Sequence, residues 1–228
     1  MVDSGSARKY LFYAIGEIAL VVIGILIALQ INNWNEWRKD RLKERQILIQ
    51  IKDDLQSNVA LYESVLGVLD NYDRSSKIVF QSLEEQYAYN DTLDRHYFLA
   101  SLHGGRRITR VLRSGYTELI NTGIDLIQTD SLKESIFNLF EGEIKDTESR
   151  LKGFQSNYSD YNSHIIGLFI AETGYLRPIN YSAVANDTYF YSVLKMIFEE
   201  RRHLKVVIEW NKEDSQYVLQ LIEKELDQ

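Results

Sequence analysis

The feature that most constrains this chain is an apolar run at residues 10–31, whose only charged residue is Glu17. At a rise of ~1.5 Å per residue, a helix of this length spans about 33 Å, which matches a bilayer hydrocarbon core of about 30 Å. Tyr10 stands at one end of the run, and Trp34 and Trp37 follow the other end, as in the two aromatic belts of membrane proteins. We therefore predict a transmembrane helix over 10–31.

The alternative for the same run is a cleaved signal peptide. The run is longer than the apolar core of a typical signal peptide, and no cleavage site with the small-x-small pattern precedes its polar exit. These two observations favour a retained membrane anchor, and the lipid bilayer is then the first partner of the chain.

One ridge of the predicted anchor carries small residues at helical spacing. Gly16, Leu20, Gly24 and Ala28 recur every four residues, and Gly24 with Ala28 forms a small-xxx-small pair. Small residues let two helix backbones approach closely, so this ridge is a candidate face for self-association. The alternative is that Gly and Ala are simply common in membrane helices.

Glu17 lies inside the predicted span, where a carboxylate is costly and marks a functional hypothesis. It precedes Gly24 by seven residues and so shares nearly the same helix face, which would point it into an oligomer seam. Its side chain could instead extend towards Arg8 or Lys9 near the membrane surface. A structural role is favoured over a proton or ion path.

The rest of the chain predicts a helical domain. Apolar residues recur at spacings of three and four from Ile47 to Leu69, which indicates a helix that continues from the anchor to about Leu83. We expect an all-α fold, an antiparallel bundle of long helices with short helices inserted. The predicted organisation is a tail over 1–9, the membrane helix over 10–31, a charged stalk over 32–46 and the extramembrane domain over 47–228.

Turn and capping signals divide the second half of this domain. Thr129 and Ser131 predict a helix start, and Glu134 completes a capping-box pattern with Ser131. This helix is expected to run to about Glu172, followed by a loop over 174–186. A last helix is expected to start near Asp187 and to reach almost the C-terminus.

Composition excludes several classes of function. The chain contains no Cys, so disulfides, thiolate metal sites and cysteine nucleophiles are absent. A net charge of -7 argues against nucleic acid as a partner, because such binding needs cationic groups that displace phosphate counterions. We recognise no nucleotide-binding or hydrolase motif, and we expect no cofactor and no catalytic residue.

Three groups of residues are candidates for a metal-binding, interface or anion-binding site. Glu200 and His203 have the i,i+3 spacing of di-iron bundles, but a second such pair is missing, so no metal site is predicted. Six tyrosines surround the loop before the last helix and could form an interface: Tyr158, Tyr161, Tyr175, Tyr181, Tyr189 and Tyr191. Four arginines could bind a carboxylate or phosphate, with three on one helix face, or could simply be surface charges: Arg106, Arg107, Arg110 and Arg113.

Two blocks of the sequence resemble a known family. Residues 9–36 read KYLFYAIGEIALVVIGILIALQINNWNE, and residues 114–133 read SGYTELINTGIDLIQTDSLK. They resemble the N-terminal signature and the second recurring block of a membrane-protein family common in flavobacteria and their relatives, the domain-of-unknown-function family 6090. The resemblance implies a single-pass anchor and a helical extramembrane domain, and it implies no known activity.

The positive-inside rule and the family resemblance place the large domain on opposite sides of the membrane. Lys and Arg are more numerous after the anchor than before it, and the positive-inside rule then places the domain in the cytoplasm. The family resemblance implies a periplasmic domain, although the basic stretch usual before the anchor is reduced here to Arg8 and Lys9. We expect an inner-membrane protein with its large domain in the periplasm.

The leading functional hypothesis is a non-enzymatic, oligomeric scaffold or partner-binding component of the cell envelope. It would associate with itself through the transmembrane helix and with an envelope protein that the sequence does not identify. The alternative is a ligand-sensing helical bundle that signals through a partner protein.

Overall fold

The structure is a computed structural model that describes residues 4–104, 111–156 and 159–227, with side chains described over 15–104, 111–150, 161 and 164–227. The chain divides into two compact units, Met1–Ile47 and Leu48–Gln228.

The described part of the chain is all-α apart from one short hairpin, which confirms the predicted fold class. Eight α-helices and two strands follow one another in chain order: α1 Ser4–Glu84, α2 Leu93–Ala100, α3 Ser114–Thr122, α4 Asp130–Phe137, α5 Lys145–Ser156, α6 Ser159–Leu168, β1 Phe169–Glu172, β2 Tyr175–Pro178, α7 Tyr181–Ala185 and α8 Thr188–Leu226.

The first unit contains only the N-terminal part of α1. Its described apolar side chains over 15–31, among them Ile18, Leu20 and Leu26, are exposed, so this stretch has no apolar partner among the described residues. In the polar segment that follows, the Asn32 side-chain amide donates to the Glu36 carboxylate one helical turn later, at 3.1 Å. Such i,i+4 pairs support a helix that lacks tertiary packing.

The second unit is built on the antiparallel packing of the remainder of α1 against α8. Lys52 pairs with Glu223 at 2.9 Å, and Asp73 pairs with Arg201 at 2.9 Å, so residue numbers rise along one helix as they fall along the other. Apolar positions of α1 spaced by three and four are buried, including Leu55, Tyr62 and Leu69. The helix stripe predicted from periodicity is therefore the face that α1 buries.

The hairpin of β1 and β2 is a correction to the prediction. A helix was expected to reach Glu172 and an irregular loop to follow, but Phe169 pairs with Pro178 and Glu172 with Tyr175 in an antiparallel ladder. Gly174 has a φ of +83° at the turn, a conformation that favours glycine. The Phe169 ring packs on Tyr97 of α2, with ring centroids 5.1 Å apart, so core packing holds the strand.

The predicted capping box is also wrong. The helix begins at Asp130, and no side chain of its N-cap residue, Thr129, caps it. The Thr129 hydroxyl instead donates to the carboxylate of Glu225 on α8, at 2.8 Å. The expected continuous helix changes to π geometry over Asn138–Ile144 before α5. The prediction for the last helix is confirmed, since Asp187 caps α8 by accepting from the Phe190 backbone N–H at 2.8 Å.

Candidate functional site

One helix of the described residues, within α1, is long and apolar enough to cross a membrane. None of its most apolar window is buried in the structure, which separates it from the core helix of a water-soluble domain. A signal sequence near an N-terminus has a similar length and apolar composition.

The predicted anchor residues are open to the surroundings. A Cβ atom added to Gly16 or Gly24 would meet nothing within 4 Å. Glu17 and Ala28 are exposed, and Glu17 forms no hydrogen bond with another described residue. The ridge of small residues is therefore free to receive another helix.

The aromatic residues of the predicted anchor lie on the same helix. Trp34 and Trp37 are 60% and 51% exposed, so both side chains are available for contact with the membrane interface. Tyr10 lies within α1, but its side chain is outside the described side chains.

Most of the predicted arginine cluster cannot be placed, since Arg106, Arg107 and Arg110 lie outside the described residues. Arg113 is described, and it does not lie in a helix, because its φ of -147° precedes the first turn of α3. Its guanidinium donates to the Glu148 carboxylate of α5 at 2.6 Å. The expectation that Arg113 shares a helical face is therefore wrong, and its charge is already paired.

The backbone after this cluster is held by two polar side chains of α1. The Asn58 amide accepts from the Leu112 backbone N–H at 2.7 Å and donates to the Leu112 carbonyl at 2.8 Å. One turn earlier, Asp54 accepts from the Gly115 N–H at 2.8 Å and from the Ser114 hydroxyl. A carboxylate at a helix N-terminus satisfies free amides and interacts favourably with the helix dipole. Asp54 thus caps α3 from a distant part of the chain.

Sequence reasoning missed a buried arginine that lies at the centre of a polar network. Arg201 of α8 is 0% exposed, and its Nε donates to the Asp73 carboxylate of α1 at 2.9 Å. Its Nη1 donates to the carbonyls of Ala100 and Leu102, at 2.9 and 2.7 Å, and its Nη2 donates to the Ser76 hydroxyl. One guanidinium therefore joins α1, α8 and the end of α2.

His103 comes directly after Leu102, whose backbone carbonyl accepts a hydrogen bond from Arg201. Burial lowers its pKa to about 4, and the charge of Arg201 acts in the same direction. His103 is therefore neutral near pH 7, and a proton on it would add a second positive charge beside a buried one.

Glu200 and His203, which have the spacing of a di-iron pair, have no completing metal ligands among the described residues. Among the residues that the structure describes, no group of three His, Asp or Glu side chains could hold a metal ion. His164 instead pairs with the capping carboxylate of Asp187, with 2.9 Å between Nε2 and Oδ2. This pair joins α6 to the start of α8.

The tyrosines around the hairpin do not form one surface. Tyr158 lies outside the described residues, Tyr161 is buried, and Tyr175 is exposed. The Tyr181 hydroxyl donates to the Tyr87 carbonyl at 2.8 Å, which ties α7 to the loop after α1. Packing and loop anchoring account for the buried and bonded members of this group.

The sequence matches the model of a known family. A family model described as a family of unknown function, DUF6090, matches residues 17–201, which is more than half of the chain. No curated protein and no solved structure matches.

Proposed function

The chain belongs to this family of unknown function, and from that premise we propose that it is a non-enzymatic, oligomeric, membrane-anchored protein of the flavobacterial cell envelope. Its role is that of a scaffold or partner-binding component. The proposed organisation is a single membrane span over 10–31, a charged stalk over 32–46 and a helical domain over 47–228. An envelope protein and a second copy of the chain are its proposed partners.

One observation carries this proposal. α1 is continuous from Ser4 to Glu84, and its apolar part exposes Gly16, Gly24 and Ala28 on one ridge. Among the described residues, no atom lies within 4 Å of a Cβ atom added to either glycine. In a bilayer, where apolar side chains gain nothing by leaving lipid, close packing at small residues is a main source of helix association. The ridge therefore supports self-association within the membrane.

Self-association is tested with the full chain in lipid nanodiscs or mild detergent. We expect an oligomer by light scattering, and we expect the same oligomer after chemical cross-linking in cells. A strictly monomeric chain that also recovers no partner on cross-linking would contradict the scaffold proposal.

The proposed location is the inner membrane with the large domain in the periplasm. Because the chain has no Cys, Ser182→Cys places one thiol on the exposed surface of α7 without a background. A membrane-impermeant maleimide should label this variant in intact spheroplasts. Labelling only after lysis would place the domain in the cytoplasm, as the excess of Lys and Arg after the span suggests.

A second candidate function is ligand sensing with output through a partner protein. The observation that favours it is the same continuity of α1, because one unbroken helix couples a change in the domain to a shift of the apolar segment. A ligand that raises the unfolding temperature of the full chain would support this candidate. Failure of a broad screen of small ligands to do so would count against it.

A further inference from the structure

A surface groove of 470 Å³ lies between α1 and α8 in the second unit. Six residues line it: Gly67, Asp70, Asp73, Arg74, Lys77 and Lys205. Gly67 leaves the groove open, because a Cβ atom added there would meet nothing within 4 Å. The walls are otherwise all charged, so any ligand of this groove must be recognised by charge.

The two acidic residues of the groove are already neutralised. Asp73 pairs with the buried Arg201 at 2.9 Å, and its second oxygen lies 3.4 Å from the Lys205 ammonium. Asp70 binds the same Lys205 ammonium. Burial acts to lower the pKa of Lys205, but the bonds and charges of Asp70 and Asp73 outweigh it and raise the pKa. Lys205 therefore stays cationic at neutral pH.

Two cations of the groove remain uncompensated. Arg74 and Lys77 are exposed, and neither has a hydrogen bond or ion pair with another described residue. They are three residues apart on α1, so their side chains lie on the same helix face. An arginine and a lysine at this spacing present a planar fork of donors beside a point charge, an arrangement that suits the oxygens of an oxyanion.

We propose that this groove binds a doubly charged phosphate group, as inorganic phosphate or as a phosphate monoester. Arg74 and Lys77 bind its oxygens, while Lys205 on the facing helix offsets the charges of Asp70 and Asp73. A dianion matches the two uncompensated charges, and the open volume at Gly67 leaves room for the group that the phosphate is attached to. This inference does not rest on self-association or on a protein partner.

Calorimetric titration of the full chain with inorganic phosphate, in uncharged detergent and at constant ionic strength set with chloride, tests the proposal. We expect saturable binding with a Kd below about 1 mM. The double variant Arg74→Gln/Lys77→Gln should weaken it at least about tenfold, because it removes two charge-assisted contacts. Arg202→Gln is the matched control on exposed α8 surface, and it should leave the affinity unchanged.

A variant that is expected to increase the affinity for phosphate distinguishes an effect on binding from a loss of folding. Asp70→Asn removes a negative charge from the wall and releases Lys205 from an ion pair, so phosphate should bind about threefold more tightly. Absence of saturable binding, or equal affinities in all four proteins, would overturn the proposal.

Repeating the titration in nanodiscs that contain phosphatidic acid, a lipid whose headgroup is a phosphate monoester, identifies the source of the phosphate. If free phosphate binds equally in detergent and in nanodiscs, the ligand is a soluble phosphate. If the nanodiscs suppress the titration in the wild type, a lipid headgroup occupies the groove. In both cases the Arg74→Gln/Lys77→Gln variant must bind phosphate more weakly than the wild type.

Discussion

Arg201 and Asp73 form a buried ion pair between α8 and α1, with 2.9 Å between Nε and Oδ1 and a guanidinium that is 0% exposed. The pair is separated by 128 residues in sequence. The remaining donors of the guanidinium reach Ser76 and two carbonyls at the end of α2, so its desolvation is offset by several hydrogen bonds rather than by one charge alone.

Replacing this arginine should be among the most destabilising single changes in the domain. Arg201→Met leaves the Asp73 carboxylate and the carbonyls of Ala100 and Leu102 without their main donor, and we expect a loss of about 3–5 kcal/mol in the free energy of unfolding. Denaturant unfolding followed by circular dichroism measures it. The neighbouring Arg202→Met changes an exposed pair with Glu199 and should shift stability by less than about 0.5 kcal/mol. Equal effects of the two variants would contradict the role of the network.

Gly115 marks the closest approach of α3 to α1. A Cβ atom there would lie 2.6 Å from the Ile51 backbone N and 2.9 Å from the Gln50 carbonyl carbon, and backbone atoms cannot move aside locally. Gly115→Ala should therefore separate the two helices and cost about 1–3 kcal/mol. Gly67→Ala is the matched control within α1, where the new methyl meets nothing and should stabilise the helix by roughly 0.5–1 kcal/mol. Thermal unfolding of the two variants should move in opposite directions.

Acid should destabilise the domain partly through His103. Burial and then the charge of Arg201 lower its pKa to about 4 from an unfolded value of 6.5, so between these pH values the unfolded chain binds a proton that the folded chain does not. Stability from this group is complete above pH 6.5 and is lost as the pH falls towards 4, by about 3 kcal/mol in total.

The test for His103 compares unfolding free energies across this pH range. His103→Gln should have a shallower decline than the wild type, because the variant has no titrating group at this position. His96→Gln should reduce the slope as well, since burial also lowers the pKa of His96. A His103→Gln variant with the full wild-type slope would show that His103 is solvated.

A larger side chain on the ridge of small residues should weaken self-association of the membrane segment. Gly24→Leu places a branched side chain on the exposed ridge and should shift the monomer–oligomer equilibrium by about 1 kcal/mol towards monomer. Ile25→Leu alters the neighbouring face at constant volume and is the control. Energy transfer between labelled chains in lipid vesicles reports the oligomer fraction. Equal fractions in both variants would place any oligomer contact elsewhere.

Local patterns were sufficient where a segment's structure depends on its own neighbours. The spacing of Leu55, Tyr62 and Leu69 identified a helix face that the structure buries, and Asp187 identified the start of α8. The apolar run was recognised as a helix able to cross a membrane because its length and composition alone define it.

Patterns failed where a longer-range contact replaced a local one. Thr129 looked like part of a helix start, but its hydroxyl bonds Glu225, which is 96 residues away. The segment at Phe169 looked helical, because a short apolar run does not distinguish a strand from a helix, and packing on Tyr97 selected the strand.

The sequence by itself determined the all-α class, the apolar helix, the start of α8 near Asp187 and the absence of cysteine chemistry. Each of these follows from composition or from interactions within a few residues. Only the tertiary structure decided that Arg201 is buried, that Arg113 is paired with Glu148, and that Arg74 and Lys77 line a groove with no partner among the described residues. The reason is physical: a charged side chain can be buried only where distant segments bring it counter-charges and hydrogen-bond acceptors, and no local spacing records which segments those are.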